Sequence, residues 1–259
     1  MRILELVDSH VHLDDASFAD DRDAVLARAH AAGVVAQVIP AVDETSWARI
    51  ETLCNNHRQL YPAYGLHPMY ESRHRPTHLQ ALPARLANPR TVAVGEIGLD
   101  FFTDDVDAES QRHYFIEQLK LAREFDLPVI VHARRALEEV TLTLRRIGGL
   151  RGVVHSFSGS EEQARQLWQL GFCIGLGGPL TYPRAQRLHR IVATMPIEFL
   201  LLESDAPDQP GATHRGERNE PAHIVEVLRS VAELRGEPEA TIAAATTANA
   251  RRLFALPGS

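Results

Sequence analysis

The sequence predicts a single (β/α)8 TIM barrel, and three observations carry that expectation. Eight short apolar runs alternate with helical patterns along the whole chain. The length of 259 residues is typical of such a barrel. Several runs are apolar on both faces, as in Val34-Val35-Ala36-Gln37-Val38-Ile39 and Val129-Ile130-Val131, which a parallel sheet covered on both sides requires. A doubly wound sheet is the architectural alternative. No composition shift, fixed-period repeat or low-complexity tract divides the chain, so residues 1–259 read as one domain.

The predicted strands cover residues 4–12, 34–42, 60–66, 91–99, 127–132, 152–156, 172–177 and 198–204. Helical spacing links Trp47, Ile50, Cys54 and His57, and again Phe115, Leu119 and Ala122. Ser160-Glu161-Glu162-Gln163 has the form of a capping box, and Gly171 stands where a helix would end. Pro221 can open a helix running to about residue 234, and a last helix is expected over 238–254. Residues 206–221 show no periodicity and read as a long loop of the functional kind.

Composition bounds the function. The chain carries 27 Lys and Arg against 34 Asp and Glu, a formal charge of −7, with 44% apolar residues. That balance excludes a disordered protein and a cationic nucleic-acid coat, but not an enzyme with a local basic rim. Two cysteines, Cys54 and Cys173, are too few for a disulfide framework or a thiolate cage and suit a reducing compartment. No run approaches the ~18 apolar residues of a membrane span. The opening Met1-Arg2-Ile3-Leu4-Glu5 does not read as a secretion signal. A cytoplasmic protein with no membrane association and no obligate protein partner is therefore expected.

Thirteen histidines are the oddity of the composition. His10 and His12, two apart at the end of the first predicted strand, share a face. Glu96 lies in the fourth strand between Gly95 and Gly98; His132 ends the fifth, His155 the sixth, and Asp205 follows the eighth. In a parallel barrel the strand C-termini open on one face, so these side chains would converge there. Each alone has a plainer reading: a core histidine, a buried acid paired with an arginine, or a helix cap for Asp205. Their joint placement is hard to obtain by packing. Four imidazoles and two carboxylates exceed what one zinc ion needs and suit two divalent ions bridged by a carboxylate. Imidazole favours Zn, Mn, Fe or Co over a cage for Mg alone, with Zn, Mn and Mg all open as the bound pair.

These residues sit in stretches that carry a resemblance: Asp8-Ser-His-Val-His-Leu13, Gly65-Leu-His-Pro68, Val94-Gly-Glu-Ile-Gly-Leu-Asp100, Gln118-Leu-Lys-Leu-Ala122, Leu127-Pro-Val-Ile-Val-His132, His155-Ser-Phe-Ser-Gly159, Leu202-Glu-Ser-Asp-Ala-Pro207 and Asn249-Ala-Arg-Arg-Leu-Phe254. The chain resembles the TatD family of metal-dependent hydrolases and deoxyribonucleases, within the amidohydrolase-like superfamily. The resemblance spans nearly the whole chain and implies a TIM barrel with a two-metal centre. It implies His10, His12, Glu96 and Asp205 around one ion, and Glu96, His132 and His155 around the other. Three positions depart from the usual family pattern. Ser204 replaces Thr and keeps the hydroxyl, Ala133 replaces Ser and loses one, and Arg134-Arg135 replaces an Arg-Asp pair, adding positive charge.

The expected chemistry is hydrolysis by a hydroxide that two cations activate, with Glu96 and Asp205 as the catalytic carboxylates and Asp205 also accepting the nucleophile's proton. Glu203 either orients a ligand or points to the outer layer. His67, chiefly from the family pattern, is a candidate to bond a phosphate oxygen. Arg134 could clamp a phosphodiester. Tyr182, Arg184 and the pair Arg218-Asn219 fall in rim loops that could hold nucleic acid, or they are ordinary surface residues. The resemblance implies DNA or another phosphodiester as substrate, with 3'-5' exonuclease action on a single strand. A two-metal hydrolase of small esters or amides is the alternative. A non-catalytic binding module fits poorly with an intact ligand set.

Overall fold

The computed structural model describes residues 4–258. Met1–Ile3, part of the segment read against a secretion signal, and Ser259 lie outside the described residues. Eight parallel strands follow one another around the sheet in chain order: β1 Leu6–Asp8, β2 Val34–Pro40, β3 Leu60–Tyr64, β4 Ala93–Asp100, β5 Val129–Arg134, β6 Gly152–Val154, β7 Phe172–Leu176 and β8 Leu200–Leu202. The seam between β8 and β1 is closed just past the strand ends. There the Ser9 amide donates to Leu202 O at 3.0 Å, and the Asp205 amide to His10 O at 3.0 Å. The architecture is the expected (β/α)8 barrel.

Nine helices surround it among the described residues: α1 Arg22–Ala31, α2 Glu44–Asn56, α3 Pro76–Leu86, α4 Ala108–Glu124, α5 Leu137–Ile147, α6 Glu161–Gln169, α7 Gln186–Thr194, α8 Ile224–Arg235 and α9 Glu239–Phe254. The Ser160–Gln163 capping box is formed at the start of α6, with both reciprocal bonds present. A second capping box, Asp43 with Ser46, opens α2. Pro221 begins a single 3-10 turn ahead of α8 rather than α8 itself. The loop at 206–221 is tied down from within by Asn219, which is buried and donates through Nδ2 to Ser204 O and Asp208 O.

Two apolar layers follow from strand alternation. Val7, Val38, Ala63, Ala93, Ile130, Val153, Cys173 and Leu201 form one cluster with Leu253 and Phe254. It supplies one or more residues from each strand and is plugged by the end of α9, which marks it as the barrel interior. The larger cluster packs the outer faces of the strands against the helices. Both cysteines are buried and unpaired, Cys173 in the interior layer and Cys54 on the buried face of α2.

The inner layer decides which side chains reach the mouth. Ile130, Val153 and Leu201 point inward, so two residues on, His132, His155 and Glu203 do too. The same alternation fails in β1 and β4. Val7 faces in, and an unbroken strand over 4–12 would have turned His10 and His12 outward. The strand stops at Asp8 instead, Val11 packs in the outer layer, and the histidines turn in. In β4 the register shifts between Val94 and Ile97. Ala93 and Glu96 thereby both face the interior while Ile97 packs outside. Several predicted strand ends were also too long: His10, His12 and His155 lie just beyond their strands, Asp205 follows its own, and Glu96 and His132 lie within theirs.

Candidate metal centre

Glu96 is the hub. It is 1% exposed at the barrel mouth, and its two carboxylate oxygens face two different sets of imidazoles. Oε2 lies 3.2 Å from His10 Nε2 and 3.7 Å from His12 Nε2. Oε1 lies 2.8 Å from His155 Nε2, 2.9 Å from His67 Nε2 and 3.1 Å from His132 Nδ1. Asp205 stands on the Oε2 side, its Oδ1 3.5 Å from His10 Nε2 and 3.9 Å from His12 Nε2. The six residues expected as ligands thus meet at one place.

Neighbours fix how each ring presents itself. His132 turns Nε2 to Asp100 Oδ2 at 2.8 Å, which leaves Nδ1 for the centre. His67 Nδ1 accepts the Met69 amide at 3.0 Å, so its neutral ring carries the proton on Nε2 and donates toward Glu96. His155 turns Nδ1 toward Glu203 Oε1 at 3.7 Å and stacks on His10 with ring centroids 3.9 Å apart. Glu203 is fully buried and accepts the Ser156 amide. It fits because Gly175 has no side chain: a Cβ there would lie 2.1 Å from Glu203 Oε2. Of the two orientations left open for Glu203, the inward one is found. Asp8, buried at the end of β1, accepts the Ser204 amide at 2.9 Å and the Ser204 hydroxyl at 2.6 Å. This is the work of the hydroxyl before Asp205, and it ties β1 to the chain leaving β8.

Electrostatics follow burial and the hub. Burial pulls His10 well below the ordinary imidazole value and His67 down to about 4. Burial also opposes charge on His155 and His132. Glu96 with Glu203 and Asp205 together outweigh it for His155, and Asp100 together with Glu96 outweighs it for His132, so both are raised. Glu96 is held far below the carboxylate range by its imidazoles despite its burial. Burial lifts Asp205 to about 6 and Asp8 to about 7.

Among the described residues, every basic group within 4 Å of the Glu96 carboxylate is an imidazole; no Lys or Arg neutralises it. His10 Nε2 and His12 Nε2 face each other at 3.1 Å, and His132 Nδ1 and His155 Nε2 at 3.4 Å. Each pair can share a single proton in a hydrogen bond, and once that proton leaves, the two facing lone pairs suit a cation. The donor set, mixed imidazole and carboxylate, fits divalent ions. Three groupings of ligand atoms lie close enough to hold one: His10, His12 and Glu96; His67, Glu96 and His132; and His10, His155 and Glu203.

A model of TatD related DNases matches residues 7–255. The chain belongs to the TatD family. It is 43% identical over 98% of its length to all of YjjV, a metal-dependent hydrolase of Escherichia coli described as uncharacterized. It is 34% identical over 97% of its length to 99% of a 3'-5' ssDNA/RNA exonuclease TatD of Shigella flexneri. The crystal structure of E. coli YjjV superposes with a TM-score of 0.95, covering 99% of this chain and 100% of that one at 42% identity.

The other expected site residues of this TatD-family chain fall as follows. The centre opens into a cleft of about 1250 Å³ that His67 and Arg134 also line. Arg134 makes no ion pair within 4 Å among the described residues; its guanidinium lies 3.5 Å over the Phe102 ring. Tyr182 and Arg184 line a neighbouring hollow beside the cleft, with the Tyr182 hydroxyl donating to Pro210 O at 3.1 Å. Of the two readings left open for Arg218 and Asn219, their contacts favour the structural one. Arg218 pairs with Asp21 at 2.7 Å and Asn219 anchors the loop from inside. Asp100 and Asp8 were not singled out by sequence reasoning. Counting by twos from Glu96 reaches Asp100 on the same face, a signal that could have found it.

Proposed function

We propose that this chain is a two-metal hydrolase of phosphodiester bonds in single-stranded nucleic acid, acting in the 3'-5' direction as an exonuclease in the cytoplasm. One observation carries the metal assignment: the two oxygens of Glu96 face separate imidazole sets, the arrangement a bridging carboxylate needs. His10, His12, Glu96 and Asp205 would hold one ion, and Glu96, His132 and His155 the other. Divalent ions held there would supply Lewis acidity, polarising a phosphoryl oxygen and lowering the pKa of a bound water. The exonuclease name of the Shigella relative supports the substrate class. Two buried free thiols support a reducing compartment.

The chain's own groups divide the remaining work. His67, neutral and donating through Nε2, bonds a non-bridging oxygen of the scissile phosphate once Glu96 is engaged elsewhere. Asp205, lifted to about 6 and oriented by a bond from Gln209 Nε2, takes the proton of the attacking water and passes it to the leaving oxygen. Arg134, free of ion pairs at the mouth, draws the phosphodiester in against the protein's overall charge of −7.

The test is a metal-supplemented assay with 5'-labelled single-stranded DNA and RNA beside a panel of small esters, lactones and amides. Stepwise loss of mononucleotides from the 3' end is expected. Asp205→Asn should cut turnover by about 10²–10⁴-fold with much of the metal retained. Turnover of the small esters or amides with none of either nucleic acid would overturn the proposal.

A further inference from the structure

Beside the metal centre lies a second hollow, of about 300 Å³, which the chemistry above leaves unused. Its walls include Met69 and Phe102, two of the three large apolar side chains that the described surface leaves most exposed, at 60% and 43%. The carboxylates of Glu71, Asp105 and Asp107 line it too. Met69 and Arg134 line both this hollow and the metal cleft, so the two adjoin.

Phe102 is held as a platform. The Arg134 guanidinium lies 3.5 Å from its ring centroid and that of Arg135 at 4.6 Å. Arg135 also donates to Phe102 O at 3.2 Å. The amide of Phe102 is fixed by Asp100 Oδ1 at 2.9 Å, while the other oxygen of the same carboxylate holds His132 at 2.8 Å. One side chain therefore joins the platform to an imidazole of the metal centre. An exposed ring backed by arginine is what base stacking uses.

We propose that this hollow receives the nucleobase next to the scissile phosphate, stacked on Phe102 and flanked by Met69. With Asp100, four acidic residues line the hollow and repel a phosphate; the carboxylate oxygens not already bonded to Ser110, Phe102 or His132 can accept from ring and exocyclic N–H groups, so the occupant is a base and not an anion. Arg134, on the boundary, takes the phosphate side. The reading deepens the phosphodiesterase proposal and rests on it.

The test is binding, followed separately from turnover. A single-stranded oligonucleotide with 2-aminopurine at its 3' end and non-hydrolysable phosphorothioate links is titrated into the metal-loaded protein. Stacking quenches the probe. Quenching is expected with the native protein and with Phe102→Trp, and its loss with Phe102→Ala. In the native protein, an oligonucleotide with an abasic 3' residue should bind about tenfold more weakly, a base–aromatic stacking effect; Phe102→Ala should bind both forms alike. Equal quenching by native protein and Phe102→Ala overturns the inference, as does native protein that degrades DNA but ignores the missing base. Native protein that neither binds nor cleaves any oligonucleotide overturns the phosphodiesterase reading, and this one with it.

Discussion

His132 and Asp100 form a pair in which the carboxylate sets the ring. With Nε2 held at 2.8 Å by Asp100, His132 turns Nδ1 to the centre, 3.1 Å from Glu96 Oε1. A ring held this way loses less freedom on binding a cation and is more basic toward it. Asp100→Asn keeps the size and an oxygen for the Phe102 amide but removes the charge. Metal affinity should fall by about 10–100-fold with the fold intact. Calorimetric titration of stripped protein with Zn or Mn reads this, and unchanged affinity would count against the ligand role of His132.

Glu96 should behave differently. Because each of its oxygens serves one half of the centre, Glu96→Gln weakens both halves at once. Elemental analysis should find less than one ion per chain in Glu96→Gln where the native protein holds two. If a single ion were lost and the other kept at full affinity, Glu96 would not be the bridge.

Ser204 links Asp8 to the segment that carries Asp205, and the bond is buried. Ser204→Ala leaves a buried carboxylate oxygen short of a donor. A loss of about 1–3 kcal/mol of stability is expected, together with lower turnover because Asp205 loses its brace. Chemical denaturation and kinetics on one preparation test both; unchanged stability would mean the Asp8–Ser204 bond contributes nothing net.

How far the centre was legible depends on which kind of signal placed each residue. His132 and His155 were readable because each follows an apolar run directly, and Asp205 because it comes three residues after one; runs in a parallel barrel end on one face. His10 and His12 were readable as a pair, but period 2 says only that they share a face. The break after Asp8 that turns them inward leaves no mark in composition. Glu96 points inward only because the register slips after Val94, and a regular strand would have buried it against helices. The Asp8–Ser204 bond joins residues 196 apart and exists only because the barrel closes. Arg218 stayed open between two readings because a polar loop looks alike whether its arginine faces a substrate or pairs with Asp21 across the fold.

Metal binding should compete with protons, and the sign follows from the rings. Against burial, which lowers both, His132 is raised by Asp100 and Glu96, and His155 by Glu96 with Glu203 and Asp205, so in the metal-free protein they hold protons to higher pH than free imidazole does. A cation needs the neutral rings, so binding it expels those protons. Affinity therefore rises with pH, by about tenfold per pH unit for each proton displaced, and falls as the pH drops toward and below neutrality. Titrations at about pH 6.5 and 8 in buffers of different ionisation enthalpy count the protons released. Affinity independent of pH, with no proton release, would show that these two imidazoles are not what the metal binds.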